Sequence, residues 1–525
     1  MFFRMIPVSS LSVLTLTGLL IGLLPLAETK TMASGQDAPG TPMPSLFREN
    51  GVMKLKVDGN PFLILGGELH NSTASNLGVT APIFPRLHDM GLNTVIAPVY
   101  WELTEPREGE FDFSLVDGLV KQARDQRLRL ILLWFGSFKN GLSTYPPPWV
   151  MGNPKRFPRL FQKPGEVAPY LSVFEPANVE ADAHAFAALM RHLHEIDGQE
   201  HTVIMCQVEN EVGVFSEDRD HDPAANQAFE AAVPLDLMGY LARHSATLLP
   251  ETRGYLAGGK PAGTWTDVFG ANANEIFMAW FYAQYLNKVA ATGKAEYPLP
   301  MYVNPWIKQR ADDEGYPHGG PVAGMHDIWR AGAPAIDILG LDIYNPDFKS
   351  NADLYSRGGN PLFIPETWDR PSAVGRMLYA IGEDNAICVS SFGVENMPVN
   401  ILQPLYQRLQ TVAPNILVKM GTGGMRGVLF DNKNDVAVQT VNVGPHVLKV
   451  TPSANRTDAA ALLLDWDSTH VLILGQGLTI TSPDKTLTCE NGSFTNGVWN
   501  TAQSVTKQAD SVSLASLDFY MIDLR

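Results

Sequence analysis

Eight short apolar runs over residues 62–393, separated by longer amphipathic stretches, constrain the fold of this chain more than any other feature. They read "FLILGGELH" (62–70), "NTVIAPVYW" (93–101), "RLILLWFG" (129–136), "TVIMCQVENE" (202–211), "PMYVNPW" (300–306), "ILGLDIY" (338–344), "PLFIPET" (361–367) and "AICVSSFG" (386–393). Runs so short and so uniformly apolar suit strands of a parallel sheet covered on both faces. Helical patterns lie between them. "FDFSLVDGLVKQARDQ" gathers Leu115, Val116, Leu119, Val120 and Ala123 on one side, with Ser114 and Asp117 spaced as a capping box. "ADAHAFAALMRHLHEID" aligns Phe186, Leu189, Met190 and Leu193, and residues 274–290 and 399–417 give two further helices. This alternation predicts an α/β fold, a (β/α)8 TIM barrel. An open doubly wound sheet would carry a glycine-rich phosphate loop after its first strand, and "GGELHNSTASN" does not fit G-x-G-x-x-G.

From about Gly424 the texture changes to short β-rich runs broken by Asp-Asn, Gly and Ser-Pro turns. The expected organisation is a catalytic-type barrel over 45–423 and a small all-β C-terminal domain over 424–525. Residues 1–30 read as a secretory signal: Arg4, an apolar stretch from Ile6 to Leu26, then small and polar residues. Cleavage is expected between Ala27 and Ser34. A retained anchor is the alternative, because the run nearly reaches spanning length. The expected location is secreted, extracellular or periplasmic, with no membrane association after cleavage.

A formal charge of −16 argues against a nucleic acid or an anionic membrane as partner, since both need clustered Lys and Arg. Cys206, Cys388 and Cys489 form no disulfide framework, and neither they nor the histidines have metal-ligand spacing. No cofactor and no metal are expected, and nothing in the pattern specifies an oligomer. Glycosylation sequons occur at Asn71, Asn455 and Asn491, the first beside the expected site.

Barrel enzymes carry their chemistry at the C-terminal ends of the strands. Here those ends supply Glu68 and His70; Tyr100, Trp101 and Glu102; Trp134; Asn210 and Glu211; Trp306; Asp342 and Tyr344; Glu366 and Trp368; and Phe392. Carboxylates, amides and flat aromatics with little Lys or Arg suit a neutral, hydroxyl-rich ligand. Glu211 ends strand four and Glu366 ends strand seven, across the barrel mouth from one another. Two such acids about 5–5.5 Å apart make a retaining glycosidase, and a wider gap leaves room for a water and inverts. Glu209, one residue before Asn210, is expected to be a structural acid, paired with a rim cation or hydrogen-bonded beneath the site.

"QVENEVG" resembles the strand-four signature of family-35 glycoside hydrolases, β-galactosidases of the (β/α)8 clan A, and "GLNTV…PVYWELTEPREGEFDFS" resembles the strand-two region shared by families 35 and 42. The resemblance implies Glu211 as acid/base, Glu366 in "FIPETW" as nucleophile, Asn210 as the partner of the sugar 2-hydroxyl and Tyr344 as support for the nucleophile. Strands two and three depart from the animal and plant pattern, reading "APVYWE" and "LLWFGSFKNG", nearer a bacterial and fungal branch with a short β-rich C-terminal domain. Sugar contacts are therefore expected from Trp101, Lys139 and Asn140, with Trp368, Glu68 and His70 completing the rim. The implied activity is a retaining exo-β-galactosidase acting on oligo- or polysaccharides. Another sugar specificity (β-glucosidase, β-xylosidase, α-L-arabinopyranosidase) and a non-catalytic sugar-binding barrel are the alternatives.

Overall fold

Each of the eight apolar runs becomes a strand, and the eight close into a ring. The computed structural model describes residues 41–524, apart from 216–217, 308–314, 369, 432–434, 436, 454–457, 484–485 and 496, with backbone alone at 507–508. The expected signal segment and the sequon at Asn455 lie outside the described residues. Strands one to four are Gly66–Glu68, Thr94–Tyr100, Arg129–Lys139 and Val203–Asn210. Strands five to seven are Met301–Val303, Ile338–Leu339 and Phe363–Ile364, and strand eight runs Cys388–Val389 and resumes at Ser391–Phe392. Consecutive strands pair in parallel. Strands six and seven join through an Ile343–Thr367 bridge and a 2.9 Å bond from the Leu341 N–H to the Phe363 carbonyl. Strand eight returns to strand one at Ser391–Gly67 and Phe392–Glu68, which closes the barrel.

Strands five and seven are shorter than their apolar runs because Pro305 and Pro365 interrupt them. Proline has no N–H to give a ladder, so pairing stops there and the chain after it is free to bend into the mouth. Strands two and four are buried along their whole length. The helices Pro176–Asp197 and Ala273–Glu296 cover strands three and four, with Phe186 and Met190 of the first lying where Gly293 of the second leaves room.

The helix over Ser114–Asp125 forms with Val116, Leu119, Val120 and Ala123 buried, but not with the expected capping box. Instead the Asp112 carboxylate accepts the Ser114 N–H at 2.9 Å, and Asp117 pairs with Nε2 of His192 at 2.6 Å. A carboxylate two residues upstream satisfies the free donor of the first turn equally well, which releases Asp117 for the neighbouring helix. Between strand four and its long helix lie four short helices that the sequence reading did not identify: Pro223–Glu230, Leu235–Arg243, Pro250–Leu256 and Trp265–Phe269.

Among the described residues after the barrel, all regular structure is β. Met425–Phe430, Ala459–Asp465, His470–Gln476, Asp518–Asp523, Leu487–Thr495 and Val498–Ala509 form one sheet, in that spatial order. Gln439–Val443, His446–Pro452, Leu478–Thr481 and Ser511–Leu514 form a second. Val428, Leu463, Ile473, Tyr520, Leu448 and Ile480 share a core of their own. The larger sheet turns its other face, with Leu429, Leu462, Leu464, Leu472 and Met521, to the core of the barrel region. The helix Ser372–Asp384 meets it backbone to backbone: a Cβ on Gly382 would lie 2.5 Å from the Arg426 carbonyl oxygen. Among the described residues no helix is long and apolar enough to cross a membrane.

Candidate active site

Strand four ends in a backbone conformation that few non-glycine residues adopt. Glu209 has φ +61° and Glu211 has φ +46°, on either side of Asn210. Left-handed residues of this kind carry a conformational cost that the surroundings must over-determine, and they gather at functional sites. The two turns break strand alternation, so the glutamates go to different places.

Glu209 turns toward strand three. The register between strands three and four slips between Trp134 and Lys139, which leaves the N–H groups of Ser137 and Phe138 without a strand partner. The Glu209 carboxyl accepts both, at 3.0 and 2.6 Å. Asp182, from the covering helix, lies beside it and accepts from Ser137 N–H at 3.2 Å and from Trp134 Nε1 at 2.8 Å. Burial, then the charge of Asp182 and a hydrogen bond with it, push Glu209 well above the ordinary carboxylate range. Glu209 is thus the structural acid that the sequence suggested, and the strand slip explains why one is needed. Gly136 sits against this pair: a Cβ there would fall inside contact distance of Trp134 Nε1, Glu209 Oε1 and Asp182 Oδ1. Gly136→Ala is expected to lower stability by about 2 kcal/mol, the ordinary scale of an overpacked core. Urea unfolding checks it, and an unchanged midpoint would show that the pair can move aside.

Past the slip, Lys139-Asn140-Gly141-Leu142 makes a two-residue hairpin. Lys139 N–H reaches the Leu142 carbonyl at 2.7 Å and Leu142 N–H returns to Lys139 at 3.0 Å. Asn140 and Gly141 have φ +53° and +66°, the positive values that the Asn-Gly hairpin turn requires. This turn puts Lys139 and Asn140 on the wall of a cavity of about 340 Å³, with Asn71, Glu211, Trp306, Ile307, Asp342, Tyr344, Glu366 and Phe392.

Glu211, Asp342 and Glu366 each bring a carboxylate oxygen within 4.8 Å of the other two. The strand-four and strand-seven acids therefore converge on one cavity, with an oxygen of each within 4.8 Å of the other; retaining glycosidases hold their two carboxyl groups about 5–5.5 Å apart and inverting ones about 6.5–9.5 Å. Asn304 ties the group together, accepting the Glu211 N–H at 3.1 Å and donating to Asp342 at 2.6 Å. The Tyr344 hydroxyl donates to Oε2 of Glu366 at 2.7 Å, while Oε1 is buried with no partner. Burial first, then the charge of Glu366, push Glu211 up to about 8, against the pull of Lys139. Asp342 and Glu68 are raised for the same two leading causes. Neither oxygen of Glu68 has a hydrogen-bond partner, and burial and the charge of Glu366 disfavour its ionised form. The spacing of the three carboxylates is also one that a hard divalent cation can occupy.

Residues 79–243 match the model of glycoside hydrolase family 42, described as β-galactosidase.

The matched stretch runs from the helix before strand two through strand four and Glu211. A β-galactosidase of Xanthomonas manihotis is 37% identical over 78 residues, 14% of this chain and 13% of that protein. The human β-galactosidase-1-like protein 3 is 27% identical over 210 residues, 38% of this chain and 29% of that protein. The chain thus spans less than a third of the length of either relative. Among solved structures, the β-galactosidase of Bacillus circulans sp. alkalophilus aligns over 88% of this chain and 99% of its own with a TM-score of 0.53 at 10% identity. That likeness speaks to the fold, a TIM barrel followed by all-β structure.

Of the predicted site residues, Glu211, Glu366, Lys139, Asn140 and Tyr344 line the cavity. Asn210 lies against it, its Oδ1 accepting from Lys139 Nζ at 2.8 Å and its Nδ2 buried without a partner. Trp101 is a correction: it is fully buried, donates Nε1 to Glu105 at 2.8 Å and packs on Trp134 and Trp149, so it belongs to the core rather than to a sugar platform. Three others do not line the cavity. Glu68 lies under Glu366. His70 packs its ring edge on Phe392 and points Nδ1 at Glu395, 3.2 Å away. Trp368 braces Tyr344, with ring centroids 5.1 Å apart and Nε1 on the Tyr344 carbonyl.

Asp342, Trp306 and Phe392 were visible as strand ends, but nothing in their spacing marked them as wall residues. Asn304 and Asp182 gave no sequence signal, because each acts through a partner distant along the chain. Asn71, the first sequon, lines the cavity itself.

Proposed function

We propose that the protein is a retaining, exo-acting β-glycosidase, read as a β-galactosidase, working by double displacement. The observation that carries this reading is the approach of Glu211 and Glu366 across one cavity, with a hydrogen-bonded tyrosine on one oxygen of Glu366 and nothing on the other. Glu366 attacks the anomeric carbon as Glu211 gives its proton to the departing oxygen. Glu211 then takes a proton from water, which attacks the same carbon and releases Glu366. Tyr344 holds Glu366 in aim, and the free Nδ2 of Asn210 is the donor for the sugar 2-hydroxyl. Trp306 offers a flat face beside the ring.

Within the clan, "QVENEVG" resembles family 35, while the family 42 match spans both that motif and the strand-two region that the two families share. The substrate is a neutral glycoside, and the N-terminal segment is read as a signal for secretion. Proton NMR of the first product from an aryl β-galactoside tests the mechanism: the β-anomer should appear first, and initial release of the α-anomer would overturn retention. A panel of nitrophenyl glycosides distinguishes galactose from the other sugars.

A further inference from the structure

The larger sheet of the C-terminal β-structure carries a cavity of its own, of about 410 Å³. Strand alternation places it on the sheet's outer face. In Leu487–Thr495 and Asp518–Asp523, the side chains of Leu487, Cys489, Tyr520 and Ile522 belong to the core between the two sheets. Thr488, Glu490, Met521 and Asp523 alternate with them and line the cavity. The ladders set these residues in rows: Asp523 pairs with Thr488 on one side and His470 on the other, and Glu490 pairs with Met521. Met521 also belongs to the apolar face turned to the barrel core, so the cavity begins at the margin of that contact.

Two tryptophans complete the wall. Trp466 follows the strand Ala459–Asp465, and Trp499 lies in Val498–Ala509, paired with Phe494. Both rings pack on Phe494, with centroids 5.2 and 5.3 Å away, and both stay only half-buried. Neighbours fix them in place. The Trp466 N–H donates to the His470 carbonyl at 3.0 Å, and Oδ1 of Asp467 accepts the N–H groups of Thr469 and His470 at 2.8 and 2.9 Å. The Trp499 indole N–H donates to the Thr501 hydroxyl at 3.1 Å, and that hydroxyl donates to Glu490 at 2.6 Å. A wall held this way loses little freedom when a ligand arrives.

The chemistry of the wall selects the ligand. Indole faces offer apolar area to the C–H face of a sugar ring. A carboxylate has about four acceptor sites, so Asp467 and Glu490 keep capacity for hydroxyl donors beyond the bonds they already make. Among the described lining residues there is no Lys or Arg, so an anionic ligand would meet three carboxylates and no strong cation. A cationic ligand would have to compete with His470, whose Nδ1 lies 2.9 Å from Asp467 and Nε2 3.9 Å from Asp523. A neutral, hydroxyl-rich ligand meets neither obstacle, and the volume is within the about 300–1,000 Å³ of ordinary small-molecule sites. None of these residues lines the catalytic cavity.

We infer that this cavity is a non-catalytic binding site for neutral carbohydrate, which holds the protein on a polysaccharide independently of the barrel's own cavity. Binding here requires no hydrolysis, so the site goes beyond the glycosidase reading and does not rest on it.

Affinity electrophoresis of the full chain through native gels containing galactan, xyloglucan or polygalacturonate tests the site. The two neutral polymers should retard the protein and the anionic one should not. Trp466→Ala should raise the dissociation constant about tenfold, the scale of a lost aromatic contact. Glu490→Gln, which keeps the side chain's shape and can still accept from Thr501, should raise it about fivefold, the scale of a weakened hydrogen bond, and reports even if Trp466→Ala does not fold. No retardation of the parent by either neutral polymer, equal retardation by polygalacturonate, or unchanged binding in both variants would overturn the site. The catalytic reading is tested separately, by the configuration of the first product.

Discussion

Glu366→Gln is expected to lower kcat by about four orders of magnitude or more, the scale seen when a nucleophile is removed and binding is kept. The amide has the shape of the carboxyl group and can still accept from Tyr344, which donates at 2.7 Å, so the cavity should keep its form. What is lost is the anionic oxygen that the proposed attack on the anomeric carbon requires. The variant should bind a galactoside that the parent hydrolyses, measured by calorimetry without turnover. Undiminished hydrolysis would remove the nucleophile assignment, and binding in parent and variant alike with no turnover in either would favour the non-catalytic barrel.

Glu211→Gln should cost about 10³-fold on a disaccharide, the range of general acid catalysis, and about tenfold or less on a dinitrophenyl glycoside at the glycosylation step. A phenolate that leaves unaided needs no proton, whereas a sugar alkoxide does. The pH dependence carries the same signature. Burial and the Glu366 charge hold Glu211 up to about 8, and the protonated form is the active acid, so kcat/KM should fall as pH rises through that value. The Gln variant cannot lose that proton, so its profile should lack this alkaline limb. A limb that persists in the variant would belong to another group, with Asp342 the first candidate because it is hydrogen-bonded to Glu211 and also raised by burial.

The barrel was legible because buried parallel strands leave a local signature, a short apolar run bounded by turn residues, and all eight runs carried it. The clipped ends at Pro305 and Pro365 were legible in principle too, since each proline stands inside a quoted run. Glu211 and Glu366, the proposed catalytic pair, were picked out by combining strand-end position with a motif, and the structure brings them to one cavity. What escaped was set by geometry between distant segments. Trp101 and Trp306 both follow strands and both looked like platforms, yet one faces Trp134 and Trp149 in the core and the other lines the mouth. Which way an aromatic turns after its strand depends on the helix behind it. The role of Glu209 depended on a register slip in strand three, and no pattern along either strand announces a slip between them. The expected capping box at Ser114 and Asp117 failed for a smaller reason: several acids near a helix start are interchangeable locally, and with Asp117 paired to His192 it is Asp112 that takes the first-turn N–H.

The larger β-sheet shares its apolar face with the helices behind strands seven and eight, and Gly382 and Gly427 allow helix and sheet to approach without side chains between them. Such a seam makes the C-terminal sandwich a poor candidate for a cassette that evolution or an engineer could unclip and graft elsewhere. Its shape must track that of the helix carrying Gly382, so a change of sandwich would demand a matching change in the scaffold that carries Glu366.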